Sequence, residues 1–357
     1  MGRDGIAARR RILALIALRW LPPLVMSVVE RKFLPGATPL SFCLDLYTHV
    51  RFLFALPLYV AFETVVDGRL RTAAAELIRR EIVPDHARYA RALRTTQRLA
   101  ASGWAELVVL AAAFAVAIST TAANESASWI NGGRDGWTLA GHWMVFVAMP
   151  ILHFLIFRWY WRFMVWGAFL WRVARMDLRL IATHPDGSGG IGFLGTAQTS
   201  FVFVSATQAA AFSAYVGNRI LFYGETLKAH EIDLGVALAA LLILILGPLL
   251  LLTPRLAACK RKAKYAYGRF ASEYVGGFDT KWIRDPSRTE DPLGSSDIQS
   301  LADLANSFRV TADMNIVLVT RKTLTTAVVL TGAPVLPLFL TLMPVGDLLK
   351  LLLSVLK

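Results

Sequence analysis

Charge is what this chain has little of. Only 18% of its 357 residues are charged, against about 25% in an ordinary soluble domain. Acidic residues are the scarcer sign, 25 Asp and Glu against 38 Lys and Arg, which leaves a net charge of +13. Two cysteines are too few for a disulfide-stapled secreted scaffold, and 55% hydrophobic residues are too many for a disordered chain. Chemistry-bearing motifs are also missing. Among six histidines and two cysteines no zinc spacing occurs, and His230-Glu231 lacks the second histidine of an HExxH site. Neither a Walker A nor a nucleophile-elbow pattern is present. A membrane enzyme is therefore the last of three function classes to consider. No catalytic residue and no metal ligand is nominated, and no cofactor is expected.

What the chain does have is apolar blocks of roughly 20 residues separated by charged stretches, the distribution that a bilayer demands. Seven windows qualify: 12–30, 41–66, 103–123, 138–157, 194–223, 233–252 and 324–343. The expected fold class is all-α, a polytopic transmembrane bundle forming one integral membrane domain over 1–357. The first window carries Arg19, Pro22 and Pro23, so an interfacial helix is its alternative. Positive charge argues that it spans. With seven crossings, 29 of the 38 Lys and Arg fall on one side and six on the other, with three inside spans. That asymmetry places the N-terminus and the segments 67–100, 158–191 and 253–322 in the cytoplasm of an inner membrane, with the C-terminus outside. Cys43 and Cys259 then sit at opposite faces and cannot be bridged.

The basic segments read as a helical layer under the membrane. Residues 67–100 suggest two amphipathic helices broken at Pro84. Wound as one helix, Arg158, Arg162, Arg172, Arg175 and Arg179 fall within about 140° of one another, interleaved with Trp159, Trp161, Phe163, Trp166, Phe169 and Trp171. Basic and aromatic residues together also serve nucleic-acid binding. The position beside a span end favours a helix emerging through the headgroup layer, so no nucleic-acid partner is expected. Lys260, Arg261, Lys262 and Lys264 follow the sixth window and read as a second contact for anionic membrane lipids. Ser296 with Gln299 suggests a capping box opening a helix whose apolar face is Ile298, Leu301, Leu304, Ala305 and Phe308. The tail, with Asp347, Lys350, Ser354 and Lys357 among Leu and Val, suits the outer interface or a contact between copies in a homo-oligomer.

Two groups of residues are candidate sites. In the loop His184-Pro185-Asp186-Gly187-Ser188-Gly189-Gly190, Pro-Asp-Gly makes a tight turn. Alternatively, the glycines free successive N–H groups for an anion at the start of the fifth span. The glycine spacing of a dinucleotide site is rejected because no strand precedes it. The second group lies inside the spans, where ionisable residues are functional candidates by default. Asp45 and His49, at i and i+4, should touch. His142 and His153 share a face of the fourth span. Gln198, Ser205 and Gln208 fall within about 80° on the fifth.

Asp45-x3-His49 before a proline-containing span, the His184-Pro185-Asp186-Gly187 loop and the run Asp297-Ile298-Gln299-Ser300-Leu301-Ala302-Asp303-Leu304 resemble a family of uncharacterised bacterial multi-pass membrane proteins along most of the chain. The resemblance implies a helical membrane fold, brings no activity and assigns no functional residue. Permeation or transport of a small solute or ion is the first functional reading, because amides and histidines accumulate on the fourth and fifth spans. The alternative is a scaffold or regulator acting through its basic, lipid-binding helices. Water along the Gln198, Ser205 and Gln208 face would favour the first, and protein contact the second.

Overall fold

The computed structural model describes residues 3–122, 128–132, 136–286, 291 and 295–341. Among them the chain is helical throughout, apart from one isolated bridge between Asn131 and Trp137. The helices are α1 (Arg3–Val29), α2 (Leu46–Arg79), α3 (His86–Ala100), α4 (Gly103–Ala122), α5 (Leu139–Ala174) and α6 (Gly192–Tyr223). They continue as α7 (Glu231–Leu250), α8 (Thr253–Phe278), α9 (Ser296–Asp313) and α10 (Arg321–Gly332, tightening over Ala333–Thr341). Seven of them, α1, α2, α4, α5, α6, α7 and α10, are long and apolar enough to cross a membrane. Their outward faces agree. Trp104, Leu107 and Val108 on α4 and Ile232, Val236 and Ile243 on α7 are exposed, a surface that water penalises and lipid tails accept. This is a multi-pass membrane protein with an all-α fold.

Two helices are far longer than their spans. α2 has 34 residues and α5 has 36, about 50 Å at 1.5 Å per residue, where a hydrocarbon core needs about 30 Å. Both exceed a single crossing by about 20 Å, and their C-terminal ends lead into basic segments. The expected separate helix at 67–79 is therefore the continuation of α2. The break falls at Arg80–Asp85, where Glu81 adopts φ +52° and Asp85 caps α3 by accepting from the Arg88 N–H at 2.8 Å. The arginine run is likewise not one helix, since α5 ends at Ala174 and leaves Arg179 in the following loop.

Most aromatic residues in the 159–171 run of α5 face protein rather than the outside of the bundle. Trp159, Phe163, Trp166 and Phe169 are buried in the main core, and Phe163 packs edge-on against Phe201 with centroids 5.2 Å apart. Among the rings of the 159–171 run only Trp171 is exposed. Because α2, α5 and α6 share one core along this stretch, their interface needs large apolar fillers there, and these rings supply them.

Prolines shape the spans. α2 and α5 each contain a wide π turn, at Val50–Ala55 and Met144–Ala148, directly before Pro57 and Pro150. A proline lacks the N–H that would bond four residues back, and the ladder re-registers there. α6 breaks at Ser200–Phe201. α8 and α9 form a hairpin. Its tie is Asp297, whose carboxylate accepts from Trp282 Nε1 at 3.0 Å and Lys281 Nζ at 3.1 Å. The N-cap of α9 is Ser295, which accepts from Asp297 N, so the expected Ser296–Gln299 capping box does not form and Gln299 bonds Asp303 instead. On α9, Leu301, Leu304 and Phe308 are half-buried, whereas Ile298 and Ala305 are exposed. The expected tail helix around Asp347 and Lys350 lies outside the described residues.

Candidate functional site

The two ends of the bundle are built differently. At the end away from the basic loops, Asp45 caps the first turn of α2 from a nearly dry position, 3% exposed. Its carboxylate accepts from Thr48 N at 3.1 Å, Thr48 Oγ1 at 2.6 Å, Trp129 Nε1 at 2.8 Å and Asn218 Nδ2 at 2.7 Å. Asn218 also accepts from the Leu46 N–H at 3.1 Å. One carboxylate thus joins α2, α6 and the 128–132 segment, with its acceptor capacity filled. The expected Asp45–His49 contact is not made by side chains. His49 instead accepts from Trp20 Nε1 at 3.1 Å and sits 3.3 Å from the Cys43 carbonyl. The helix turn brings these residues to one level, but each ring or carboxylate takes partners from other helices.

The candidates on α6 are also held by protein. Gln198 is fully buried, accepting from Trp166 Nε1 at 2.7 Å and donating to the Ile245 carbonyl at 2.5 Å. Ser205, also fully buried, shares a hydrogen bond with Thr331 of α10 at 2.7 Å. Gln208 donates to Tyr160 Oη at 3.2 Å. The break at Ser200–Phe201 separates Gln198 from the other two, so they do not form one continuous stripe. His142 is exposed and pairs with its own Thr138 carbonyl at 2.8 Å, whereas His153 lies half-buried deeper in α5. The structure does not bring these two histidines together with Asp45 and His49.

The glycine loop uses its N–H groups internally. Asp186 accepts from Ser188 N at 2.8 Å, Gly190 N at 3.0 Å and Gly192 N at 2.8 Å, and its oxygen lies 2.9 Å from His184 Nδ1. The carboxylate occupies the nest that the alternative reading gave to a free anion, and the tight-turn reading is the one the hydrogen bonds support. Gly189 and Gly190 have φ +66° and +93°, the left-handed region where a side chain is strained. A Cβ on Gly189 would also crowd Met314. Burial alone would push the Asp186 carboxyl up, but the backbone donors and His184 outweigh it and hold the group below the ordinary carboxylate range. The stabilisation is present above the unfolded-state pKa and is lost as pH falls through the folded one. Asp186→Ala should cost about 1 kcal/mol and speed amide exchange at Ser188, Gly190 and Gly192. Protection of these wild-type amides, taken relative to the intrinsic exchange rate at each pH, should fall as the Asp186 carboxylate is protonated, and protection that does not change with pH would contradict the assignment.

The polar end of the bundle holds a cleft that sequence reasoning missed. It encloses about 610 Å³ between α2, α3, α4 and α5, within the range of ligand sites. Leu93, Val109, Phe154, Val165 and Phe169 make an apolar wall. Asp67, Arg71, Gln97, Glu106, Arg158 and Arg162 line its polar part. Glu63 pairs with Arg162 and, at 3.3 Å, with Arg158, and Asp67 lies 3.5 Å from Arg162. Arg71 makes no ion pair or hydrogen bond with the described residues. The arginines expected to face lipid are thus divided. Arg158 and Arg162 face α2, Arg172 donates to its own helix at the Ala168 carbonyl, Arg175 stacks on Trp171, and Arg179 lies 3.8 Å from Glu81. On α8, Lys260 donates to the Met314 carbonyl at 2.8 Å, whereas Arg261, Lys262 and Lys264 are exposed. Nothing local marks such a cleft, because its walls lie on four helices.

No group of three His, Cys, Asp or Glu side chains among the described residues could hold a metal ion. Comparison with protein-family models, curated proteins and solved structures gives no match, so the three resembling motifs assign no family and the seven-span helical architecture is what stands.

Proposed function

We propose that this chain is a membrane scaffold or regulator that binds a phospholipid in the cleft between α2, α3, α4 and α5. The observation that carries the reading is the meeting of an apolar wall with the unpaired guanidinium of Arg71. An acyl chain lies against Val109, Phe154 and Val165, and a headgroup phosphate meets Arg71, with Gln97 as a further donor. Placing the basic end in the cytoplasm, as the charge asymmetry argues, puts this headgroup in the inner leaflet, where anionic lipid is available. Exposed Arg261, Lys262 and Lys264 then add long-range attraction rather than a defined site. Permeation has less support, because Gln198, Ser205 and Gln208 bond to protein where a water-lined path would need them free.

Native mass spectrometry of the detergent-purified chain titrated with phosphatidylglycerol tests this. Wild type should retain one lipid per chain, and Arg71→Gln should weaken binding by about tenfold. Val109→Trp should do the same by filling the wall. Joint replacement of Lys262 and Lys264 by Gln should leave affinity unchanged at high salt. Equal binding by wild type, R71Q and V109W would overturn the proposal.

A further inference from the structure

Arg19 has no role in the lipid-binding reading. It is fully enclosed, and none of its three guanidinium nitrogens has a hydrogen-bond partner. A guanidinium stays protonated in a protein, so burial cannot be relieved by losing the charge. A buried charge without a counterion is the costliest arrangement a bundle can hold, and ionisable groups inside membranes are found paired.

The height of Arg19 follows from contacts on either side of it. Glu30 accepts from the Leu139 N–H at 2.7 Å, which sets α1 antiparallel to α5. Trp20 bonds His49, which sets α1 against α2. Descending from Glu30 to Arg19 at 1.5 Å per residue covers about 16 Å, the middle of a bilayer. The same descent along α5 from Leu139 reaches Met149 and Pro150, and on α2 the matching level is Val50 and Arg51. Arg51 is also buried, 8% exposed, and it donates to the thioether of Met149 at 2.8 Å and lies 4.1 Å from the centroid of the Tyr47 ring. Neither contact supplies negative charge. The carboxylates at the outer ends of α1 and α2 are committed elsewhere, Asp45 to four donors and Glu30 to the start of α5. Both π turns adjoin this level, at Val50–Ala55 and Met144–Ala148, and such turns recur at functional sites.

We infer that the middle of the bundle holds a small monovalent anion of the halide class against Arg19. Water could satisfy N–H groups but would leave the positive charge uncompensated in a low-dielectric interior. At 0% exposure no water-sized space adjoins Arg19, so the occupant is limited to a single small ion admitted by a slight parting of α1 from α2 and α5. One charge balances one guanidinium, and Arg51 at the same level adds to the attraction.

The test uses the detergent-purified full chain at constant ionic strength, with chloride or bromide replaced stepwise by gluconate. Wild-type Tm should rise saturably with halide, and Arg19→Met should lose that dependence. Radiolabelled chloride should bind wild type at one per chain and be displaced by bromide, a measurement that stands even where R19M does not fold. A Tm that ignores anion identity, or no chloride bound, would overturn the inference. So would an R19M protein more stable than wild type in every anion, since the charge would then be simply unpaired.

Discussion

Asp45→Ala is expected to destabilise the protein by about 3–5 kcal/mol, the range for removing one side of a buried charged network. Four donors lose their acceptor together: the N–H and hydroxyl of Thr48, the Trp129 indole and the Asn218 amide. Trp129 is fully buried, so its N–H cannot turn to solvent. The same change removes the cap of α2 and unties α6, because Asn218 holds the Leu46 N–H while its own amide is held by Asp45. Thermal unfolding of the purified chain, followed by tryptophan fluorescence, reads this as a large drop in Tm. Asn218→Ala should cost less, and the double variant should fall well short of the sum, since both members belong to one network. A loss under about 1 kcal/mol for Asp45→Ala, or strict additivity, would mean the network is not formed.

Gln198→Leu should cost about 2 kcal/mol. Interhelical hydrogen bonds inside membranes contribute about 0.6 kcal/mol on average, and an indole N–H left unpaired in the dry core adds about 1–3 kcal/mol. Gln198 both accepts from Trp166 of α5 and donates to the Ile245 carbonyl of α7, so one amide ties three helices. Gln198→Glu separates the halves, because a carboxylate still accepts from Trp166 but cannot donate to Ile245. Tm and the tryptophan emission maximum are the measurements. Wild-type stability in Q198L would show that the amide is not closed on protein and would revive a water-lined path along α6.

These expectations could not have been drawn from the sequence, and the reason is specific. Helical phase places a residue on a face and does not say what meets that face. Asp45 and His49 are one turn apart, yet Asp45 is satisfied by Trp129 and Asn218, 84 and 173 residues away, and His49 by Trp20. Gln198, Ser205 and Gln208 share an arc only on an unbroken helix, and the break at Ser200–Phe201 removes that premise. The glycine loop admits a turn or an anion nest from its sequence, and Asp186 is itself the anion, because its side chain is short enough to reach the N–H groups two, four and six residues on. The aromatic run on α5 carried the composition of an interface and is core, because α2 and α6 pack along that stretch of α5.

The sequence by itself determined the all-helical, seven-span architecture and the grouping of basic segments. Both follow from local requirements: an apolar stretch must be long enough for the bilayer, its backbone must satisfy itself within the segment, and charge must leave it. Only the tertiary structure decided which polar side chains close on one another, which arginines are spent on carboxylates, and where a cleft stays open. Those outcomes depend on pairing between helices, whose partners lie far apart in the chain, and on prolines that rotate one part of a helix against the next.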